Sequence, residues 1–254
     1  MKQIKLLAVG NSFTQDSLAY LHDICAAGGV DLKAVNLYIG GCSLERHWKN
    51  MEENEASYLY EVNGVSQEKY VSSREILEAE EWDYILTQQA SHDSGMPETY
   101  DPWLHRLLAA FRDACPGAEC LLQKTWAYEI DSEHNEFSRY HNSQQEMYTR
   151  LSKCYEDAAA AEGVRLIPSA DVIQAVRKEA PFRYELGERS LCKDGYHMDL
   201  IYGRYLLGAV FYEFLTGRDI RANGFLPEGA KQQPADVIRE CVHRMVGTDT
   251  ACES

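Results

Sequence analysis

Hydrophobic residues recur along this chain in short continuous runs separated by longer stretches of helical periodicity. Five runs have the length and composition of buried strands: Lys5–Val9, Lys33–Ile39, Tyr84–Thr87, Cys120–Lys124 and Arg165–Pro168. Helical patterns follow or separate them, from Asp16 to Ala27, Arg74–Ala79, Trp103–Ala114, Phe137–Ala161 and Ala170–Lys178. A last helix, Leu200–Leu215, stops at Thr216-Gly217, a good C-terminal cap. Strands alternating with helices predict an α/β protein, a parallel sheet covered on both faces in a three-layer α/β/α sandwich. Right-handed crossovers restrict its topology to a few doubly wound orders. The expected sheet is five-stranded and flavodoxin-like, in the order 2-1-3-4-5.

One region breaks the alternation. Residues 51–100 hold 12 Asp and Glu against only Lys69 and Arg74. Within it, Tyr58–Val62 and Val65–Val71 flank Asn63-Gly64, a strong hairpin signal. The expectation is one domain over residues 1–254, with an acidic insertion at about 51–73 forming a small exposed hairpin beside the main sheet.

Composition narrows the function. A chain of 254 residues, 45% hydrophobic with 16 Tyr and 4 Trp, is ordinary globular material and can bury one sizeable core. The net charge of −15 argues against nucleic acid and anionic membranes as partners. No apolar stretch reaches the roughly 20 residues of a membrane span. Met1-Lys2-Gln3 runs straight into the first strand and leaves no room for a signal peptide, so the chain is expected to be cytoplasmic. Eight cysteines at 25, 42, 115, 120, 154, 192, 241 and 252 form no Cys-x-x-Cys pair and read as reduced thiols. The eight histidines have no compact metal-ligand spacing, so no metal or other cofactor is expected.

The candidate chemistry lies at two distant points. Gly10-Asn11-Ser12-Phe13-Thr14 sits where the first strand turns into a helix, and Asp194-Gly195-Tyr196-His197 lies near the other end. A serine hydroxyl is a poor nucleophile without a base, and the base needs an orienting group. Asp-x-x-His can supply both from one side of a turn. The three residues make a Ser–His–Asp set in a chain order unlike those of chymotrypsin, subtilisin or the α/β-hydrolases.

These blocks resemble the SGNH (GDSL-like) hydrolase superfamily, in particular a branch whose first block reads Gly-Asn-Ser-Phe-Thr. The resemblance runs from residue 10 to about residue 217. It implies Ser12 as nucleophile, His197 as base and then acid, and Asp194 as the group orienting the imidazole. The Ser12 N–H would be the first oxyanion donor. Gly41, in the glycine turn Gly40-Gly41-Cys42 after the second strand, would give the second. The third block departs from the family's Gly-x-Asn-Asp and reads Gln88-Gln89-Ala90-Ser91-His92-Asp93. The third donor is therefore either Gln89, favoured because an amide donates at any pH, or His92, which takes the Asn position without a gap. Arg46, His47 and Trp48, and Trp126-Ala127-Tyr128, follow strands where ligand-contacting loops collect, but core roles suit them equally.

The resemblance implies a serine hydrolase of small acyl esters. The polar segments expected around Ser12 favour acetyl groups on a carbohydrate over long acyl chains. A lipid or aryl esterase or a thioesterase would use the same machinery. A carbohydrate-binding protein that keeps the triad without turnover is the alternative of another class. The expected partner is a small acylated molecule, and the sequence leaves the oligomeric state open.

Overall fold

The computed structural model describes residues 3–247. Apolar runs too short for helices became strands: β1 (Ile4–Gly10), β2 (Leu32–Tyr38), β3 (Tyr58–Val62), β4 (Val65–Val71), β5 (Tyr84–Thr87), β6 (Glu119–Gln123) and β7 (Arg165–Ile167). The helices are α1 (Ser12–Leu18), α2 (Leu21–Ala27), α3 (Leu44–Glu53), α4 (Ser73–Ala79), α5 (Trp103–Ala114), α6 (Gln144–Glu162), α7 (Ser169–Val176), α8 (Tyr202–Thr216) and α9 (Gln232–Val246). All strands share one sheet in the order β4-β3-β2-β1-β5-β6-β7.

The five strands read from the sequence form the parallel part of this sheet, with β2, β5, β6 and β7 set about β1. Most of their interior residues are buried, as a sheet covered on both faces requires. The sheet has seven strands rather than five because the hairpin joins it instead of standing beside it. β3 pairs antiparallel with β2 from Val35↔Val62 to Tyr38↔Leu59. Asn63 and Gly64 turn the chain with φ of 52° and 77°, as a tight hairpin turn demands. Glu61 on β3 is buried, and its carboxylate accepts from Asn36 Nδ2 at 2.8 Å and Gln15 Nε2 at 2.6 Å. The hairpin thus covers what would be a bare sheet edge, and β4, mostly exposed and polar, becomes the new one.

Two expected helices are divided. The first breaks at Ala19-Tyr20 into α1 and α2. The helix expected over 137–161 is a 3-10 segment, Asn135–Tyr140, then left-handed His141 and Asn142, then α6, begun by the Ser143 cap. The α9 helix packs on α8, where His243 Nδ1 lies 2.7 Å from Glu213 Oε1. Seven cysteines, at 25, 42, 115, 120, 154, 192 and 241, are free thiols; Cys252 lies outside the described residues. No helix among the described residues is long and apolar enough to cross a membrane.

Candidate active site

The order of strands reverses between β1 and β5, and in open α/β sheets ligands bind at the carboxyl ends of the strands at such a switch point. Ser12 follows β1 there, at the first position of α1. Asn11 caps the helix, its Oδ1 accepting from Phe13 N at 3.0 Å. The same amide donates from Nδ2 to Cys42 O at 3.0 Å and so ties the Gly40-Gly41-Cys42 turn to the serine turn. An aspartate could accept the first bond but could not donate the second. Gly10 is needed because a Cβ there would run into Thr14 Oγ1 and the Gln88 amide. Gly41 has φ of 61°, which a side chain would strain.

His197 arrives on the segment between α7 and α8. Its Nδ1 donates to Asp194 Oδ2 at 2.7 Å, and Ser12 Oγ donates to its Nε2 at 2.9 Å. An ionised carboxylate only accepts, so the proton sits on Nδ1 and the Nε2 lone pair faces the hydroxyl. Asp194 Oδ1 also accepts from His197 N at 2.8 Å and Tyr196 N at 3.2 Å. Burial alone would raise this carboxyl, but the His197 ring and those backbone N–H groups outweigh it and hold it below the usual carboxylate range. Gly195 takes φ of 85°, and a Cβ would come within 2.9 Å of Ser132 Cα.

Three supports hold this loop, none of which the motifs announce. Trp126 Nε1 donates to Tyr196 O at 2.8 Å, and the Trp126 ring stacks on Phe13 at 3.9 Å between centroids. Glu129 N donates to Gly195 O at 2.7 Å. Buried Asp16, one turn after Ser12, accepts from Met198 N at 2.9 Å and from Arg204 Nε at 2.9 Å. Burial raises the Asp16 carboxyl above its ordinary value, against the opposing pull of Arg204 and the Met198 N–H. A carboxylate four residues after the serine, on a helix otherwise turned toward the core, was the available sequence signal.

Gln89 does not lie in the role expected of it. It is fully buried; its Nε2 donates to Thr99 O at 2.9 Å and Thr99 Oγ1 at 3.0 Å, while Oε1 accepts from Leu44 N and Ala90 N. Both amide protons are thus spent on fixing the loop after β5. His92 is half-buried, with its ring 6.2 Å from that of His134. Of the other ligand-side suggestions, Trp126 and Tyr128 are core residues. His47 is buried beside Tyr58 Oη (2.9 Å) and Cys42 Sγ (3.4 Å). Burial pushes the Cys42 thiol up to about 12 and the His47 ring down to about 3, so the pair is a neutral packing contact. For a cation, Glu213, Asp219 and His243 are the one group of three suitable side chains among the described residues. They already bond one another, Arg221 and the Ile220 N–H.

The fold, a mainly parallel sheet between helices with Ser12 after the first strand, is one this chain shares with proteins described as SGNH and GDSL-like hydrolases. A candidate SGNH hydrolase from Slackia heliotrinireducens superposes with a TM-score of 0.56 at 23% identity, over 84% of this chain and 100% of that one. A point variant of Axe2, an acetyl-xylooligosaccharide esterase from Geobacillus stearothermophilus, superposes with 0.52 at 14% identity, over 82% and 92%. More particularly, residues 5–245 match the family described as "Domain of unknown function (DUF4886)", and the chain belongs to that family. A DUF4886 protein from Bacteroides uniformis is 34% identical, with a TM-score of 0.89 over 96% of this chain and 94% of that one. No curated protein sequence matches significantly.

Proposed function

We propose that this protein is a serine hydrolase of small acyl esters, acting on O-acetylated carbohydrates in the cytoplasm. The observation that carries the reading is the unbroken line of hydrogen bonds from Ser12 Oγ through His197 to Asp194. Ser12 Oγ attacks the ester carbonyl while its proton passes to His197 Nε2. The N–H groups of Ser12 and Gly41 take the negative charge on the tetrahedral oxygen. Collapse breaks the acyl–O bond, and His197 returns the proton to the departing alcohol. Water, deprotonated by His197, then cleaves the Ser12 acyl ester, releasing the acid and restoring the hydroxyl. Gln89 is left out of this scheme because Thr99 occupies its amide.

The acetyl preference rests on the polar segments that flank Ser12 in the sequence and on the fold shared with an acetyl-xylooligosaccharide esterase. A fluorophosphonate should label the protein, and Ser12→Ala should abolish labelling and lower esterase kcat on the order of 10⁶-fold. kcat/KM should fall from acetyl to butyryl to octanoyl p-nitrophenyl esters. A profile rising with chain length would point to a lipid esterase or thioesterase. Absence of labelling would leave a binding protein.

A further inference from the structure

Beside the triad stands a row of rings that the acyl-transfer steps do not use. Tyr196 packs on His197 with ring centroids 4.3 Å apart. His134 meets Tyr196 edge-on at 4.8 Å, and His92 stacks on His134 at 6.2 Å. Tyr128 lies beneath, 4.7 Å from His134 and 5.6 Å from Tyr196, its hydroxyl bonded to Ser91 Oγ at 2.8 Å. Tyr196, His134 and His92 are all partly exposed, so the row borders solvent next to the reacting serine. The segments carrying it come from three loops at the sheet's carboxyl edge, after β5, after β6 and before α8.

The state of His134 follows from its bonds. Its Nδ1 accepts from Glu136 N at 3.2 Å, capping the short helix that begins at Asn135. The proton must therefore lie on Nε2, which is left as a donor. Burial, and after it the neighbouring His92, press this ring below the usual histidine range and keep it neutral near pH 7. A ring face with a fixed neutral N–H suits an uncharged polyhydroxylated ring, whose C–H face stacks and whose hydroxyls accept. An acyl chain would want aliphatic walls, and the row supplies none. An anionic alcohol would meet the Asp194 carboxylate beside the same rings, while Asp93 and Glu136 are shared by the single cation Arg139, so the surroundings stay net negative.

We infer that Tyr196, His134 and His92 form the subsite for the alcohol part of the substrate, and that this alcohol is a neutral sugar ring. This assignment rests on the serine-hydrolase reading above. Acetylated methyl pyranoside and ethyl acetate share the acetyl group and differ only in the alcohol. In His134→Asn the helix cap is kept while ring and Nε2–H are lost, and Tyr196→Leu keeps bulk without the π face. Each change should lower the ratio of kcat/KM for the pyranoside over that for ethyl acetate about tenfold, chiefly through KM. Fluorophosphonate labelling of both variants checks that the triad remains assembled. If the wild-type protein hydrolyses the pyranoside and both variants keep the ratio, the subsite is wrong while the hydrolase stands. If KM for phenyl acetate rises as much as KM for the pyranoside, the row reads flat aromatic alcohols and the sugar is wrong. If the wild-type protein hydrolyses no acetyl ester, the hydrolase reading fails, and the subsite fails with it.

Discussion

Asn11 carries more of the site than its place in a tripeptide suggests. Its amide accepts from Phe13 N and Gln88 Nε2 and donates to Cys42 O, so one buried side chain sets the serine turn, the β5 end and the glycine turn together. Asn11→Asp keeps the accepting oxygen and replaces the donor with a second acceptor facing a carbonyl. The buried Cys42 carbonyl then loses its partner. We expect a loss of about 1–3 kcal/mol in unfolding free energy, measured by denaturant titration, with Asn11→Ser milder. Gln89 shows the opposite limit of sequence reading. Its position after a strand was legible, but the partner that occupies it, Thr99, lies ten residues on in a short 3-10 turn, Pro97–Thr99, that no pattern foretells. Ser12, Asp194 and His197 were legible because each sits in a short block whose local backbone already aims the side chain.

Among the elements, the parallel strands were plain because both faces are buried and the runs are continuously apolar. The α3 helix was missed because half of Leu44–Glu53 is charged, with only Leu44, His47, Asn50 and Met51 buried. The hairpin was visible in Asn63-Gly64, but its destination was not: pairing with β2 depends on Glu61 meeting Asn36 and Gln15 across the edge. The loop bearing His197 makes a further demand that its composition only hints at. Gly195 combines a left-handed backbone with a contact on Ser132 that leaves no space for a methyl group. Gly195→Ala therefore adds strain of about 1–2 kcal/mol from the backbone alone. It also pushes the loop off the Glu129 N–H. Labelling of Ser12 by fluorophosphonate should slow at least tenfold, while circular dichroism stays that of the folded protein.

Over the whole molecule, the site is a closure between the two ends of the chain. Ser12 and Asp16 sit on the first helix, and Met198, Arg204 and the triad's other members come nearly two hundred residues later. Sequence distance hid this, since nothing local says that Asp16 must hold the backbone beside His197. The two aspartates of this closure sit in opposite environments, and the difference can be measured. Burial lifts Asp16, whereas the His197 ring and loop N–H groups, outweighing burial, depress Asp194. A carbon-detected NMR titration should show the Asp194 carboxyl turning below the ordinary value of about 3.9 and Asp16 above it. The signs carry through to stability. Asp194, with its folded value depressed, contributes stability that is present above the unfolded value and lost as pH falls through the folded one. Asp16, with its folded value raised, contributes in the reverse sense: its share is full below the unfolded value and lost as pH rises through the folded one. Replacing Asp16 with Asn should thus flatten the rising-pH part of the stability profile, and Asp194→Asn the acid limb. An Asp16 that titrates below the ordinary value would mean that Arg204 outweighs burial, and the closure would then be held by charge.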